Sequence, residues 1–431
     1  MFWFLPMMVM VLLSIPVAFS LGLAGFFGIV FNLNWMAGCS FVKTILYGAM
    51  ESYALSCVPM FILMGELAFQ AGISGDLFDA ASKWLGRTRG GMLLATNYGC
   101  ALFGACSGST IASASIFTRI ALPQMLAKGY NKQLASGCIV AAGALACMIP
   151  PSILMILYGL ITSQPINKLL VGGVVPGALT ALAYGLGIQV AAIVKPHLVP
   201  PPDAEIISLK EKVIALKGIL PITFLITLVI GGLFMGWFTS TAAGAIGSAG
   251  AIVVLILRRR FSLRGFYQAL LQAGMLSCSL LIIITFGNLF SFVLSSSGAI
   301  DSFVKFVVGL NMPPLAVLLM IITLYVVIGC MIDPVSMLII TLPAVMPIVA
   351  AYQWDPVWFG LIVITMCEVS VITPPVGMNV YTVKAVAGPC VTTGEVFAGA
   401  CYFLVWQALV LAVIIAFPDI VTFLPNMMDA R

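Results

Sequence analysis

The chain has 431 residues, of which 62% are hydrophobic and 8% charged, with a formal net charge of +5. Soluble domains carry about 25% charged residues, so a soluble catalytic domain is excluded and nothing points to nucleic acid as a partner. The composition is that of an all-α polytopic membrane protein whose function sits in the bilayer or at its faces.

The first apolar run, 2–31, is too long for a cleaved leader and lacks its basic start, so it predicts a retained span over 4–31. A second span follows at 51–70, because about 20 apolar residues are needed to cross the hydrocarbon. Residues 72–89 mix charge with Leu77, Phe78 and Trp84 and predict an arm along the membrane surface. The next apolar stretch, 92–127, is interrupted by "GACSGST" at 104–110. Its halves are read as too short to cross alone, which predicts a re-entrant hairpin. Spans are then predicted at 132–160 and 165–194, and after the loop "KPHLVPPPD" at 213–235, 238–257 and 265–295. A second arm is expected at 298–311, and a second hairpin at 312–350 with "GCMIDPVS" at 329–336 as its tip. The last spans are predicted at 355–385 and 391–417, which makes nine crossings.

Basic residues test the arrangement. Of the 19 Lys and Arg, fourteen fall on the side of the N-terminus, four fall on the opposite side and Arg119 lies within the first hairpin. The N-terminus is therefore expected in the cytoplasm and the C-terminus on the far side. The expected organisation is scaffold over 1–71, arm over 72–91, a first mobile half over 92–200, connector and scaffold over 201–297, arm over 298–311 and a second mobile half over 312–431.

The span at 132–160 contains "MIPPS" and the span at 355–385 contains "ITPPV". Proline lacks an N–H and clashes with the carbonyl one turn back, so each pair should break its helix. Pro150 and Pro374 are 224 apart, as are Pro123 and Pro347; Gly104 and Gly329 are 225 apart, as are Asp76 and Asp301. Repeated offsets in the same order indicate an internal duplication. Five spans separate the start of one half from the start of the other, so the halves should be inverted. Inverted repeats with discontinuous helices mark secondary transporters. Broken backbone at membrane depth is tolerated where it lines a cavity, with free carbonyls to hold a cation and helix N-termini to attract an anion.

Two cation sites follow. The first would combine the tip residues Ser107, Gly108, Ser109 and Thr110 with the carbonyls of Ala146 and Ile149 and with Ser152. The second would combine Gly329, Cys330 and Asp333 with Ser370, Thr373 and Val376. Oxygen donors of this kind suit a hard cation such as Na⁺; alternatively each hydroxyl bonds back to its own turn. Asp333 and Glu368 are carboxylates at membrane depth and candidates by position, or else they cap a half-helix or pair with a cation. Ser109, Arg119, Pro151 and Pro375 are candidates for substrate contact, although Arg119 can instead snorkel to the membrane face. The eleven cysteines include no CxxC pair and lie mostly inside apolar runs, as small hydrophobes do.

The stretches "MGELAFQAGISGDLFDAASKWLGRTRGG", "LFGACSGSTIASASIFTRIALPQM", "MIPPSILMILYG" and "VITPPVGMNVYTV" resemble the large membrane subunit of tripartite ATP-independent periplasmic (TRAP) transporters, over about residues 5–420. The resemblance implies an elevator-type carrier of the ion-transporter-superfamily kind, driven by a Na⁺ gradient. It implies no cofactor beyond that ion, a small four-helix membrane subunit and a periplasmic binding protein as partners, and an organic acid such as sialic acid or a C4-dicarboxylate as substrate, all in a bacterial inner membrane. The family places Na⁺ at Ser107 to Thr110 with Ala146 to Ser152, and at Gly329 with Ser370 to Val376. Two features depart from it: Ala146 and Ser370 stand where the family commonly has glycine, and Cys106 and Cys330 sit at the tips. The chain starts at its own first span, so the small subunit is expected as a separate chain.

Two other readings are weaker. A self-sufficient Na⁺/carboxylate elevator symporter would need no binding protein. An intramembrane serine protease would use "ACSGS", but Ala105 replaces the first glycine of GxSG, and a nucleophilic Ser107 would need a base. The single histidine, His197, lies in a polar loop far from it. No HExxH or P-loop motif is present.

Overall fold

A computed structural model describes residues 4–13, 15–202 and 208–429. Among these residues the chain is helical and contains no strand. The expected first span is two helices, α1 (Phe4–Leu12) and α2 (Val17–Asn32), because Pro16 caps α2 and cannot continue a preceding helix. A third helix, α3 (Trp35–Glu51), was not expected; Lys43, Thr44 and Glu51 dilute its apolar character. Its start is fixed by Asn34, whose side chain accepts from the Ala37 N–H at 2.8 Å.

The predicted span at 51–70 is α4 (Cys57–Gln70), and it bends by 61° into the arm α5 (Ile73–Leu85). Gly72 makes the bend at φ +72°, a conformation that costs a side chain about 1–2 kcal/mol. The hairpin is α6 (Gly91–Ser107) and α7 (Thr110–Ala127), and the first diproline helix is α8 (Lys132–Ala144), a 3₁₀ turn and α9 (Ile153–Thr162). Next come α10 (Ile166–Gly172) and α11 (Val174–Val194). An apolar rod follows, made of α12 (Leu209–Leu216), α13 (Leu220–Ile226), a π-helical turn and α14 (Gly232–Phe234), and then α15 (Ser240–Leu257).

The second half has the same succession. The long α16 (Leu263–Ser296) leads through Gly298, at φ +68°, into the arm α17 (Ala299–Gly309). The second hairpin is α18 (Pro314–Gly329) and α19 (Pro334–Ala351), and the second diproline helix is α20 (Pro356–Ser370) and α21 (Met378–Ala387). The chain closes with α22 (Thr393–Ala416) and an unexpected α23 (Asp419–Asp429). In the framework, α2 lies along α16 and α4 along α15.

By length and apolarity, six helices among the described residues can cross a bilayer, or seven when α4 and α5 count as one bent span. Three of the nine expected spans are not among these and consist of shorter helices: α1 with α2, α8 with α9, and α20 with α21. The hairpin arms are also longer than expected. α19 has 18 residues, which rise about 27 Å, and it is one of the six, so the expectation that each hairpin half is too short to cross fails for α19.

The arm α5 is tied to its surroundings. Arg258 pairs with Asp76 and donates to the carbonyls of Ala71 at 3.2 Å and Gly218 at 3.5 Å, while Arg260 donates to the Ala71 carbonyl at 3.0 Å. Trp84 donates its indole N–H to the Lys212 carbonyl at 3.0 Å.

α8 and α22 cross where two glycines meet. A Cβ on Gly399 would lie 1.8 Å from the Gln133 carbonyl oxygen, and one on Gly137 would lie 2.2 Å from the Gly399 carbonyl carbon. Close backbone approach through small residues is how helices associate in lipid. Gly399→Ala should therefore lower the thermal stability of the purified protein markedly. Gly394→Ala, on the same helix with open space around it, should leave the melting temperature within experimental error.

Candidate functional site

The site is built where the two hairpin tips reach the two breaks. At the first break Pro150 and Pro151 have no N–H, so the carbonyls of Ala146 and Cys147 lose their helical i+4 donors. At the second, Pro374 and Pro375 do the same to Ser370 and Val371. The structure shows both helices interrupted at these points.

Each tip meets its break through glycine. A Cβ on Gly104 would lie 3.1 Å from Ala146, and one on Gly108 would lie 2.9 Å from the Pro151 carbonyl oxygen. In the second half a Cβ on Gly329 would lie 2.6 Å from the Ser370 Cβ, and the Val376 N–H donates to the Cys330 carbonyl at 3.3 Å. On the framework side a Cβ on Gly65 of α4 would lie 2.7 Å from the Ser107 Cα.

The hydroxyls of the two sites differ in occupancy. Ser152 is fully buried and its Oγ has no hydrogen-bond partner. Ser107 Oγ lies 2.9 Å from Ser113 Oγ. Ser370 donates to the Cys367 carbonyl at 2.8 Å, and Thr373 donates to the Val369 carbonyl at 3.0 Å, so both hydroxyls bond back to their own turns. Ser109 and Asp333, 224 apart, do the same job: Ser109 Oγ accepts from the Ala112 N–H at 3.3 Å to cap α7, and Asp333 accepts from the Ser336 N–H at 3.0 Å to cap α19. Asp333 is thus a helix cap. Ile149 is half-buried within the first break.

Beside the tips lies a cavity of about 1120 Å³. Its hairpin-side wall includes Ser107, Gly108, Ser109, Thr110, Ser115, Arg119, Cys147 and Asp333. The first residue of each of four helices also lines it, or lies one position from it: Thr110 of α7, Ile153 of α9, Pro334 of α19 and Met378 of α21. The opposite wall comes from α4 and α16 with Glu66, Gln70, Gln268, Gln272 and Ser279, and the cavity reaches Arg260 and Ser262 at the α15–α16 link. Four helix N-termini and two arginines line the cavity together with the carboxylates of Glu66 and Asp333; each N-terminus carries unpaired N–H groups and roughly half a positive charge, which favours an anion near the helix starts.

Of the four residues expected to touch substrate, Ser109 and Arg119 line this cavity, whereas Pro151 lies buried behind it and Pro375 is exposed elsewhere. The framework wall was missed in the sequence. A signal was present: Gln268 and Gln272 are one helical turn apart in an otherwise apolar span, and Glu66 is an acid within another.

Comparison with known proteins adds a separate line. Residues 4–420 match the family described as the tripartite ATP-independent periplasmic transporter, DctM component. The chain is 31% identical over 382 residues to the C4-dicarboxylate TRAP transporter large permease protein DctM of Pseudomonas aeruginosa, covering 88% of each chain. It is 30% identical over 427 residues to the ectoine/5-hydroxyectoine TRAP transporter large permease protein UehC of Ruegeria pomeroyi, covering 98% of each. It is 26% identical to the sialic acid TRAP transporter large permease protein SiaM of Vibrio cholerae, covering 96% of this chain and 95% of that one. The crystal structure of the Alcanivorax borkumensis YdaH transporter shares the fold, with a TM-score of 0.61 at 17% identity, covering 89% of this chain and 90% of that one.

The tip geometry makes a prediction of its own. Gly108 has φ +58° and no room toward Pro151, so Gly108→Ala should destabilise the fold by about 1–2 kcal/mol, read as a fall in melting temperature. An unchanged melting temperature would mean that the tip does not pack on the break as described.

Proposed function

Since this chain belongs to the DctM component family of tripartite ATP-independent periplasmic transporters, we propose that it is the large membrane subunit of a Na⁺-coupled importer of an organic acid in a bacterial inner membrane. A separate small membrane subunit and a periplasmic binding protein that delivers the acid complete the transporter. One relative, the isethionate TRAP transporter permease protein DctMQ of Oleidesulfovibrio alaskensis, is longer than this chain, which covers 58% of it.

The observation that carries the reading is the cavity between hairpin tips and framework, with four helix starts and Arg119 on one wall. A carboxylate entering it would find N–H groups and Arg119 beside the Asp333 cap on the hairpin side, and glutamine amides beside Glu66 on the other. Beside the cavity, the carbonyls of Ala146 and Ser370 lack their helical donors, the Ser370 carbonyl accepting only a long bond from Thr373 Oγ1 at 3.4 Å, and the Ser152 hydroxyl is buried and unpartnered. These are groups that a cation would satisfy, which supports Na⁺ sites at Ser107 to Ser152 and at Gly329 to Val376.

The two halves are read as inverted repeats. Helices α5 to α9 and α17 to α21 recur in order, α5 beginning at Ile73 and α17 at Ala299, α9 at Ile153 and α21 at Met378. The elevator reading follows: hairpins and broken helices move as a unit against α4 and α16, with α5 and α17 as linking arms. The cavity reaches Arg260 and Ser262 on the more basic face, which supports reading this form as inward-facing, with the N-terminus in the cytoplasm.

The test is uptake of labelled C4-dicarboxylate and sialic acid into liposomes holding this chain and its small subunit. Uptake should require an inward Na⁺ gradient and added binding protein. Equal uptake with K⁺ in place of Na⁺ would remove the coupling ion, and strong uptake by the chain alone would favour the self-sufficient symporter.

A second prediction separates ligand from scaffold roles. Ser152→Ala removes a hydroxyl that bonds nothing in the protein, so thermal stability without Na⁺ should hold while half-saturation by Na⁺ rises several-fold. Ser107→Ala and Thr373→Ala should likewise weaken the Na⁺ response more than membrane insertion. Wild-type Na⁺ dependence in all three variants would mean that the cation binds elsewhere.

A further inference from the structure

Glu368 lies outside both the cavity wall and the cation sites, yet it is fully buried on α20, two residues before Ser370. Its Oε2 accepts a hydrogen bond from the Gln407 Nε2 of α22, and its Oε1 has no partner. Gln407 accepts in turn from the Tyr184 hydroxyl of α11 at 2.6 Å. All three residues have no solvent exposure, and Tyr184 is held edge-on against Phe403 with ring centroids 5.4 Å apart. Among the described residues no lysine or arginine pairs with Glu368. A buried polar chain of this kind fixes geometry, because breaking any link leaves an unpaired group in an apolar setting.

What it fixes is the end of α20. The start of that helix is tied by the Trp358 indole N–H to the Ile414 carbonyl of α22 at 2.9 Å and by the Tyr158 hydroxyl to the Pro356 carbonyl at 2.7 Å, whereas its far end is tied at 368. The stretch from Glu368 to Ser370 is continuous helix, so the Ser370 carbonyl follows the tie. The tip at Gly329 leaves no slack there, since a Cβ on it would come within 2.6 Å of Ser370.

We propose that Glu368 is a positioning residue: its tie through Gln407 to Tyr184 holds the second break, and with it the Ser370 carbonyl, in the orientation that binds the coupling cation. This rests on the Na⁺ reading above. The tie joins α11 of the first half to α20 and α22 of the second, so it couples the two halves of the mobile unit. It uses an acceptor oxygen on residue 368 and not a charge.

The test measures Na⁺-dependent thermal stabilisation of the purified full-length chain, with K⁺ as the control ion. Glu368→Ala and Gln407→Leu should each raise the half-saturating Na⁺ concentration about tenfold, the scale of one lost buried hydrogen bond. Glu368→Gln keeps an acceptor oxygen and should stay within about twofold of wild type, and Tyr184→Phe should fall between them. Wild-type Na⁺ affinity in Glu368→Ala and Gln407→Leu would overturn the tie while leaving the cation reading intact. A Glu368→Gln variant as impaired as Glu368→Ala would overturn it too, by showing that charge matters. No preference of the wild-type protein for Na⁺ over K⁺ would overturn the cation reading beneath it. Where Glu368→Ala fails to elute as a single species, Gln407→Leu and Tyr184→Phe decide the matter.

Discussion

A backbone carbonyl without a donor is costly in hydrocarbon, and two successive prolines strip two carbonyls of their donors at once. Much of the structure is a response to that constraint, applied twice. Each break is covered by a hairpin tip whose glycine lets backbone approach backbone, Gly104 and Gly108 in one half and Gly329 in the other. Part of the debt is settled within the protein: the Asn379 N–H reaches the Val371 carbonyl at 3.1 Å, and Thr373 Oγ1 lies 3.4 Å from the Ser370 carbonyl. The first break has the orphan hydroxyl of Ser152 beside it, so the two halves are alike in backbone and unlike in how fully they are satisfied.

The breaks create two helix starts, those of α9 and α21, and the hairpin tips create two more, those of α7 and α19. A continuous helix crossing the bilayer has its N-terminus at the surface, where water screens it; a broken one presents an N-terminus at depth. Here α7, α9, α19 and α21 all begin beside one cavity. Ser109 and Asp333 cap two of them, leaving other N–H groups of the first turns to face the space. Main-chain N–H groups thus join Arg119, Arg260, Glu66 and Asp333 in the lining, and a count of charged side chains does not include them.

The framework is organised by different means. Gly72 and Gly298 turn the chain from an upright helix into an arm, and both hold positive φ. The first arm is then fastened by Arg258 to Asp76 and by Arg260 to the Ala71 carbonyl. Asp301, the counterpart of Asp76 in the second arm, lies on a helix with only Ile300 and Val307 buried. The first arm is thus fastened by an ion pair, while the second packs against α16 and α19.

The sequence by itself determined the membrane class, both breaks, both hairpin tips and their spacing. These depend on composition and on residues whose backbone preferences act locally: proline without an N–H, glycine without a Cβ. It did not disclose α3 or α23, whose mixed polarity defeats an apolar-run criterion, nor that Pro16 divides the first span into α1 and α2. It also left the framework wall of the cavity unread, because Glu66, Gln70, Gln268 and Gln272 come from helices far apart in the chain and share a surface only when α4 and α16 pack together. Whether a buried hydroxyl bonds its own turn or stands free, as Thr373 and Ser152 respectively do, was likewise decided by tertiary packing. Each such choice depends on which neighbour arrives within 3 Å or so, and no local preference of the chain carries that information.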